Sequence, residues 1–454
     1  MSEPNPVTAR LVEGPVGRGL MRLTAPMILG ISSNLLAGLL EAFYLGQIGT
    51  LTLAAYSFTF PVVGALMSLS LGTSIGISSV LARTVGQGDQ ARVRRLASDG
   101  ITLTALIMIT VSVIGWITID PLFVALGADE TTLPLIHDYM AVWYFSLVFM
   151  SIPSVGANAL RATGDASISG TIMVGGAVLQ MVIGPFLIFG LLGLPAMGLM
   201  GAAIANLVAR LVLFGATMYV LHFREHLLDF HALSAQKIMH SWRLILAVSI
   251  PATATNLIGP VSTAIIVSLL AGYSQETVAG FGIASRIEGL FVIPLFALSA
   301  SIGPFVGQNW GKEEYARANK AMMLSFYYSI AWGLLVAVLL FTTRDQIASQ
   351  FNQNAEVIRA AALYLSIVPI SYGSWGVLMM SSAIFNSLGK PISATIMSII
   401  RMLVIYIPLA FAGKALFGLP GIFAAACISN IAVGVIGFVW NRNTFVPIMA
   451  GAGR

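Results

Sequence analysis

Charged residues are what this chain has least of. Asp, Glu, Lys and Arg together make up 9% of it, against 57% apolar residues, whereas a soluble domain carries about 25% charged residues. A water-facing globular surface cannot be built from that composition. Cysteine is nearly absent: Cys427 stands alone, which excludes a disulfide framework and a thiolate metal site. HExxH and clustered carboxylates are missing from the apolar runs, so an intramembrane enzyme has no metal-ligand or paired-acid constellation to work with. Nothing resembles the filter of an ion channel. The opening MSEPNPVTARLVEGPVGRG has no apolar core and is read as a tail, not a cleaved signal peptide.

What is present is a succession of apolar runs, each of the roughly 20 residues that cross a bilayer as helix. They start near Leu20, Ala54, Ala97, His137, Ile168 and Gly198, and then near Arg243, Thr277, Ala321, Ala360, Ile392 and Leu419. The expected fold is an all-α integral membrane protein with twelve transmembrane helices. Its parts are a tail (1–19), an N-terminal lobe (20–222), a connector (223–242), a C-terminal lobe (243–440) and a second tail (441–454). The second run contains Pro61 and is expected to break there.

The net charge of +5 is no nucleic-acid signal, because in such a chain the position of each charge matters more than the sum. With alternate loops on opposite sides, seventeen of the 23 Lys and Arg fall on one side. Three fall on the other (Arg344, Arg359, Lys414), and Arg210, Arg286 and Arg401 lie within spans. The positive-inside rule then predicts cytoplasmic termini, in the plasma membrane of a bacterial or archaeal cell. Four of the five His sit near the connector, with His222 and His226 spaced as two ligands on one helix face. No acidic residue completes a metal motif beside them, so a solvated connector is the better reading.

Glu41 is the one charged residue in the first run after Arg22. It lies about 10 Å inside the span, where a charge costs about 2.5–3.5 kcal/mol on insertion scales. Dry surroundings favour the protonated form of a carboxyl, and intramembrane ionisable groups mark ion and proton paths. A proton carrier is therefore the first reading of Glu41, and a protonated acid bonded to a neighbouring helix the second.

The two halves also repeat. Pro26 is answered by Pro251, Gly164 by Gly389 and Gly193-Leu194-Pro195 by Gly418-Leu419-Pro420, each 225 residues on; Gly86-Gln87 recurs 221 residues on as Gly307-Gln308. An even number of spans per repeat makes the repeats parallel, a transporter architecture with substrate bound between the halves near the midplane.

The loop VGQNWGKEEYARA, the turn NALRATGD, the stretch FGIASRIEG and GLMGAAIAN in the sixth span resemble the multidrug and toxic compound extrusion (MATE) family over about 20–440. The resemblance implies two pseudo-symmetric six-helix lobes and export of amphipathic, often cationic compounds, driven by inward H⁺ or Na⁺. It implies no cofactor beyond that ion, with small molecules and the bilayer as partners and a monomer as sufficient. Glu41 stands where the family usually has an Asp in its first helix. Gln180 replaces a common Asn, Gly184 a common Asp, and Asn206 a common Thr. The implied coupling site is thus Glu41 with Gln180 and Asn206, with H⁺ favoured over Na⁺ because only one carboxyl is present. A lipid-linked or endogenous metabolite is the alternative cargo, favoured if more Arg faces inward.

Arg286 and Glu288 share an apolar span but, two residues apart, do not face each other; coupling and plain structural roles stay open for both. Arg210 and Arg401 are read as structural. Phe60, Tyr144, Tyr372, Trp375, Met379 and Met380 are candidates for an adaptable cavity wall. Cys427 is expected to be buried in the twelfth span. Single cysteines at Gln90 and Glu314 are predicted to resist an impermeant thiol reagent added outside intact cells, and labelling of either from outside would reverse the topology.

Overall fold

A hydrocarbon layer offers a peptide N–H no partner, so a chain of this composition has to bond its backbone to itself. The computed structural model, which describes residues 9–229 and 235–452, answers with helix and, among those residues, no strand. The first half holds α1 (Val16–Ile48), α2 (Thr50–Gln87), α3 (Gln90–Ile117), the short α4 (Ile119–Ala125), α5 (Leu133–Thr163), α6 (Ala166–Phe189) and α7 (Gly198–Tyr219). The second holds α8 (Ala235–Ala271), α9 (Gln275–Gly311), α10 (Tyr315–Phe351), α11 (Ala355–Ile367), α12 (Tyr372–Ser387), α13 (Pro391–Ile399), α14 (Ile407–Phe417) and α15 (Leu419–Ala452). With α11–α12 and α13–α14 each counted as one passage, twelve helical segments among the described residues are long and apolar enough to cross a membrane.

Several local expectations change. Pro61 lies inside an uninterrupted α2 of 38 residues; one lost hydrogen bond does not end a helix whose alternative is unpaired backbone in lipid. The tenth passage does break, at the 3₁₀ turn Val368–Ser371 around Pro369. The eleventh widens into a π-helical stretch, Ile400–Tyr406, at Arg401. α15 continues to Ala452, so residues 441–452 are helix and no tail. Cys427 is half-buried instead of buried, which makes a Cys427→Ser background necessary for the labelling test. His226 has a φ of 49°, past the helical stretch that carries His222, so the two do not share a helix face. His231, and residues 1–8 of the expected first tail, lie outside the described residues.

The described residues divide into two compact units, one within 25–250 together with Ala9 and Arg10, the other from 251 onward together with Leu11–Thr24. The changeovers fall inside α1 and α8, next to Pro26 and at Pro251, and not in the connector expected at 223–242. In the first unit, Trp242 donates to the Asp99 carbonyl at 3.0 Å, and Gly76 lies against Ser249 and the Ile245 carbonyl. In the second, Leu11 N–H donates to Gln308 (3.0 Å) while Arg317 donates to the carbonyls of Glu13 (2.7 Å) and Gly14 (2.6 Å). Each proline is met by repeat-related positions of its own unit. Gly170 lets α6 approach the Pro26 carbonyl, 2.7 Å from where a Cβ would stand, and Thr395, 225 residues on, donates to the Pro251 carbonyl at 3.1 Å.

Within the second unit, helices meet through glycine, as is common where lipid gives no hydrophobic drive to pack. A Cβ on Gly333 of α10 would lie 2.1 Å from the Gly373 nitrogen of α12, and Gly413 and Gly421 bring α14 onto α15 in the same way. Because the obstacle is backbone, Gly333→Ala is expected to lower the Tm of the detergent-solubilised protein by at least about 3 °C. Gly64→Ala, where no heavy atom stands within 4 Å of the added carbon, should leave it within about 1 °C. Equal behaviour of the two variants would refute close glycine packing there.

Candidate functional site

Glu41 faces inward because α1 repeats its buried positions at helical spacing: Ala37, Glu41 and Leu45 are 3%, 9% and 0% exposed. Opposite it stand α6 and α7, held close by small side chains. A Cβ on Gly201 would lie 2.5 Å from the Leu187 carbonyl, and Ala202, Ala203, Ala205 and Ala209 line the buried side of α7. This approach brings two side-chain amides to the carboxylate. Gln180 donates from Nε2 to Glu41 Oε2 at 2.7 Å, and Asn206 donates from Nδ2 to both carboxylate oxygens at 3.1 Å.

The same Asn206 nitrogen reaches the Ala202 carbonyl at 3.1 Å. A carbonyl can only accept, so the amide is oriented with its nitrogen, and not its oxygen, toward Glu41. The arrangement offers N–H donors to an acid, not a cage of oxygens to a cation. Beside it is a cavity of about 10 Å³, bordered by Leu40, Tyr44, Met181, Gly184 and Ala205, which is room for about one water molecule. Gly184 opens onto this space, and a Cβ there would meet only Ile188, at 3.9 Å.

Arg210, four residues after Asn206 on α7, completes the group. Its guanidinium stacks over Trp143 at 4.9 Å and donates to Ser146, and its charge acts on Glu41. The sequence carried a signal for this: four-residue spacing puts Arg210 on the Asn206 face. Tyr56 and Tyr139 are in the same electrostatic neighbourhood, their rings edge-on at 5.7 Å.

The second unit has its own buried carboxylate. Glu288 accepts from Tyr364 Oη at 2.7 Å, and Tyr372, Arg401 and Tyr406 surround it. The Tyr372 hydroxyl is near but makes no well-formed hydrogen bond. Arg401 stacks over Trp375 at 5.4 Å and reaches Asn430 at 3.3 Å, and Asn430 donates to Ser371 at 2.9 Å. Tyr364, Tyr406 and Asn430 were not legible as site residues, since nothing in a tyrosine's spacing announces a partner on a distant helix. Arg286, two residues before Glu288, is exposed and stands apart from this network.

The candidate cavity residues scatter. Phe60 is 52% exposed. Tyr144 is 2% exposed, packed in the core of the first unit against Gly115, while Tyr372 is 1% exposed and occupied with the Glu288 cluster. Trp375 lies between Arg401 and Phe296. Met379 is half-buried, its carbonyl accepting from Ser299 at 3.2 Å, and Met380 is fully buried.

The sequence profile of the MatE family matches residues 26–186 and again 251–412, so each match begins at one of the two repeat-related prolines. The chain is 32% identical over 440 residues to a protein of Shewanella oneidensis named FAD transporter, with 97% of both chains covered. It is 25% identical to the multidrug export protein MepA of Staphylococcus saprophyticus, over 91% of both chains. Among solved structures, the MATE transporter VcmN of Vibrio cholerae in its bent form superposes with a TM-score of 0.90 at 25% identity, covering 95% of this chain and 98% of that one. Matched once in each of its own halves, the chain belongs to the MatE family of membrane transporters.

Proposed function

We propose that the chain is a proton-coupled exporter of small amphipathic molecules, with Glu41 as the group that carries the proton. The observation behind this reading is the donor set at Glu41: two amide N–H groups and one water-sized cavity. Na⁺ prefers several hard oxygen ligands, and Gln180 and Asn206 turn nitrogens toward the acid. A proton needs only the carboxylate itself. When Glu41 faces the acidic side it takes up a proton, and amide contacts made to a carboxylate weaken because one oxygen has become a donor. A change of conformation that follows proton occupancy exposes the acid to the other side, where it is released. Cargo and proton are exchanged if they favour opposite arrangements.

Two readings of the cargo have support. The likeness to multidrug export proteins favours varied lipophilic cations. The likeness to a protein named FAD transporter, stronger in identity and in coverage, favours an anionic, aromatic metabolite, the alternative that inward-facing arginine would support.

In proteoliposomes with an imposed pH gradient, Glu41→Gln is expected to fold normally and lose gradient-driven export by at least about 100-fold, with partial activity in Glu41→Asp. Export by Glu41→Gln at the wild-type rate would remove Glu41 from the mechanism. Export that follows Na⁺ and ignores pH would replace the proton by a cation held through reoriented amides. Gly184→Asp places a second carboxylate in open space beside the first. It is expected to make export respond to Na⁺, measured as a rate change on replacing Na⁺ by choline at constant pH. No Na⁺ response in that variant would show that position 184 does not reach the ion path.

A further inference from the structure

Arg286 is the arginine of the second unit that a membrane helix should least tolerate. It lies eleven residues from Gln275, the first residue of the 37-residue α9, which is about 16 Å along a helix that is longer than the roughly 30 Å hydrocarbon layer it crosses. Its side chain is exposed. Among the described residues it has no ion pair and no side-chain hydrogen bond. Glu288, the nearest acid in sequence, points to another side of α9 and is engaged by Tyr364 at 2.7 Å.

The surroundings on α9 add a second observation. The helix is exposed along one stripe, Ala279, Gly282, Arg286 and Leu290, at spacings of three and four that make a single face. Gly282 and Gly289 flank the guanidinium one turn to either side, and a carbon built on either would meet no heavy atom within 4 Å. The arginine is therefore bordered by empty space on its own helix. Leu290 continues this face with apolar surface and is 47% exposed.

A free guanidinium at that depth is not kept against lipid tails, where such groups turn toward protein or a water-filled opening. It presents five N–H donors in a planar fork, the geometry that takes a phosphate or carboxylate in pairs. Ala279 and Leu290 on the same face supply apolar contacts for a ligand. We propose that Arg286 is an anion-binding residue for the transported substrate, seating the phosphate group of a soluble amphipathic anion whose aromatic part rests on the apolar remainder of the α9 face. The inference rests on the proton-coupled exporter reading and selects the anionic class of cargo. A lipid headgroup shares the phosphate, and the bilayer arm of the test separates it from a soluble anion.

The test is calorimetric binding to the purified full chain in detergent, with FAD and riboflavin as probes that share a ring system and differ by the diphosphate and the adenosine it carries. The wild type is expected to bind FAD more tightly than riboflavin. Arg286→Gln should weaken FAD binding by about 10- to 100-fold, leave riboflavin unchanged, and remove the dependence of FAD affinity on salt. Arg286→Lys should recover part of the loss. Unchanged FAD affinity in Arg286→Gln overturns the proposal, and so does an equal loss for both probes, which marks a structural role. An effect confined to phosphatidylglycerol against phosphatidylcholine nanodiscs, with FAD binding intact, assigns the arginine to lipid and also overturns it. Proton-driven export of riboflavin, the probe without phosphate, by wild type and Arg286→Gln is measured in parallel. Its persistence separates a failure at Arg286 from a failure of coupling at Glu41.

Discussion

A polar group at membrane depth is costly unless protein, water or a ligand partners it, because hydrocarbon supplies no partner. For the backbone the answer is helix throughout. For the few side chains that break the apolar pattern, the answer is convergence. Glu41, Gln180, Asn206 and Arg210 come from three helices to one place, and Glu288, Tyr364, Tyr372, Arg401 and Tyr406 to another. The two groups solve the same problem with different chemistry. The first gives its carboxylate amide donors, which hold little acidity of their own and leave the proton on or off the acid. The second rings its carboxylate with phenols and stacks its cation on Trp375. The first also borders a water-sized cavity, and coupling is assigned to it.

Much of the fold was readable before any coordinates. Span number and helical class follow from composition and run length, since a bilayer admits few other solutions. Glu41 was conspicuous because a single acid in thirty apolar residues has no neighbours to hide among. Gln180 and Asn206 became visible only through family likeness, because an amide is common enough in helices to pass without notice. The orientation of Asn206 needed the structure, since it depends on the Ala202 carbonyl one turn away. Arg210 could have been placed from its spacing to Asn206, yet snorkelling was an equally good account of a long cation in a span. Tyr144 and Tyr372 show the reverse limit. Large aromatic residues suit a cavity wall and a packed core alike, and only packing separates the two.

The places where helix geometry departed from expectation are also physical. Pro61 sits in a helix long enough to absorb one missing bond, while Pro369 coincides with a switch to 3₁₀ geometry. The π-helical turn from Ile400 to Tyr406 sits at Arg401 and Tyr406 themselves. Wider turns of this kind concentrate at functional positions, and here the turn carries two side chains to Glu288. None of this is encoded in hydrophobic periodicity, which averages over the single residues that decide it.

The two compact units do not coincide with the two halves of the chain. Residues 11–24 are built into the second unit, and residues up to Ile250, beyond the connector, into the first. A chain severed at the connector would therefore give two fragments that each carry a piece of the other's framework. Trp242 would leave with the wrong fragment, away from the Asp99 carbonyl, and so would the strand of contacts from Leu11 to Gln308 and from Gly14 to Arg317. Each fragment would lack contacts that its own compact unit uses, so the duplicated halves of the sequence are not the same division as the compact units.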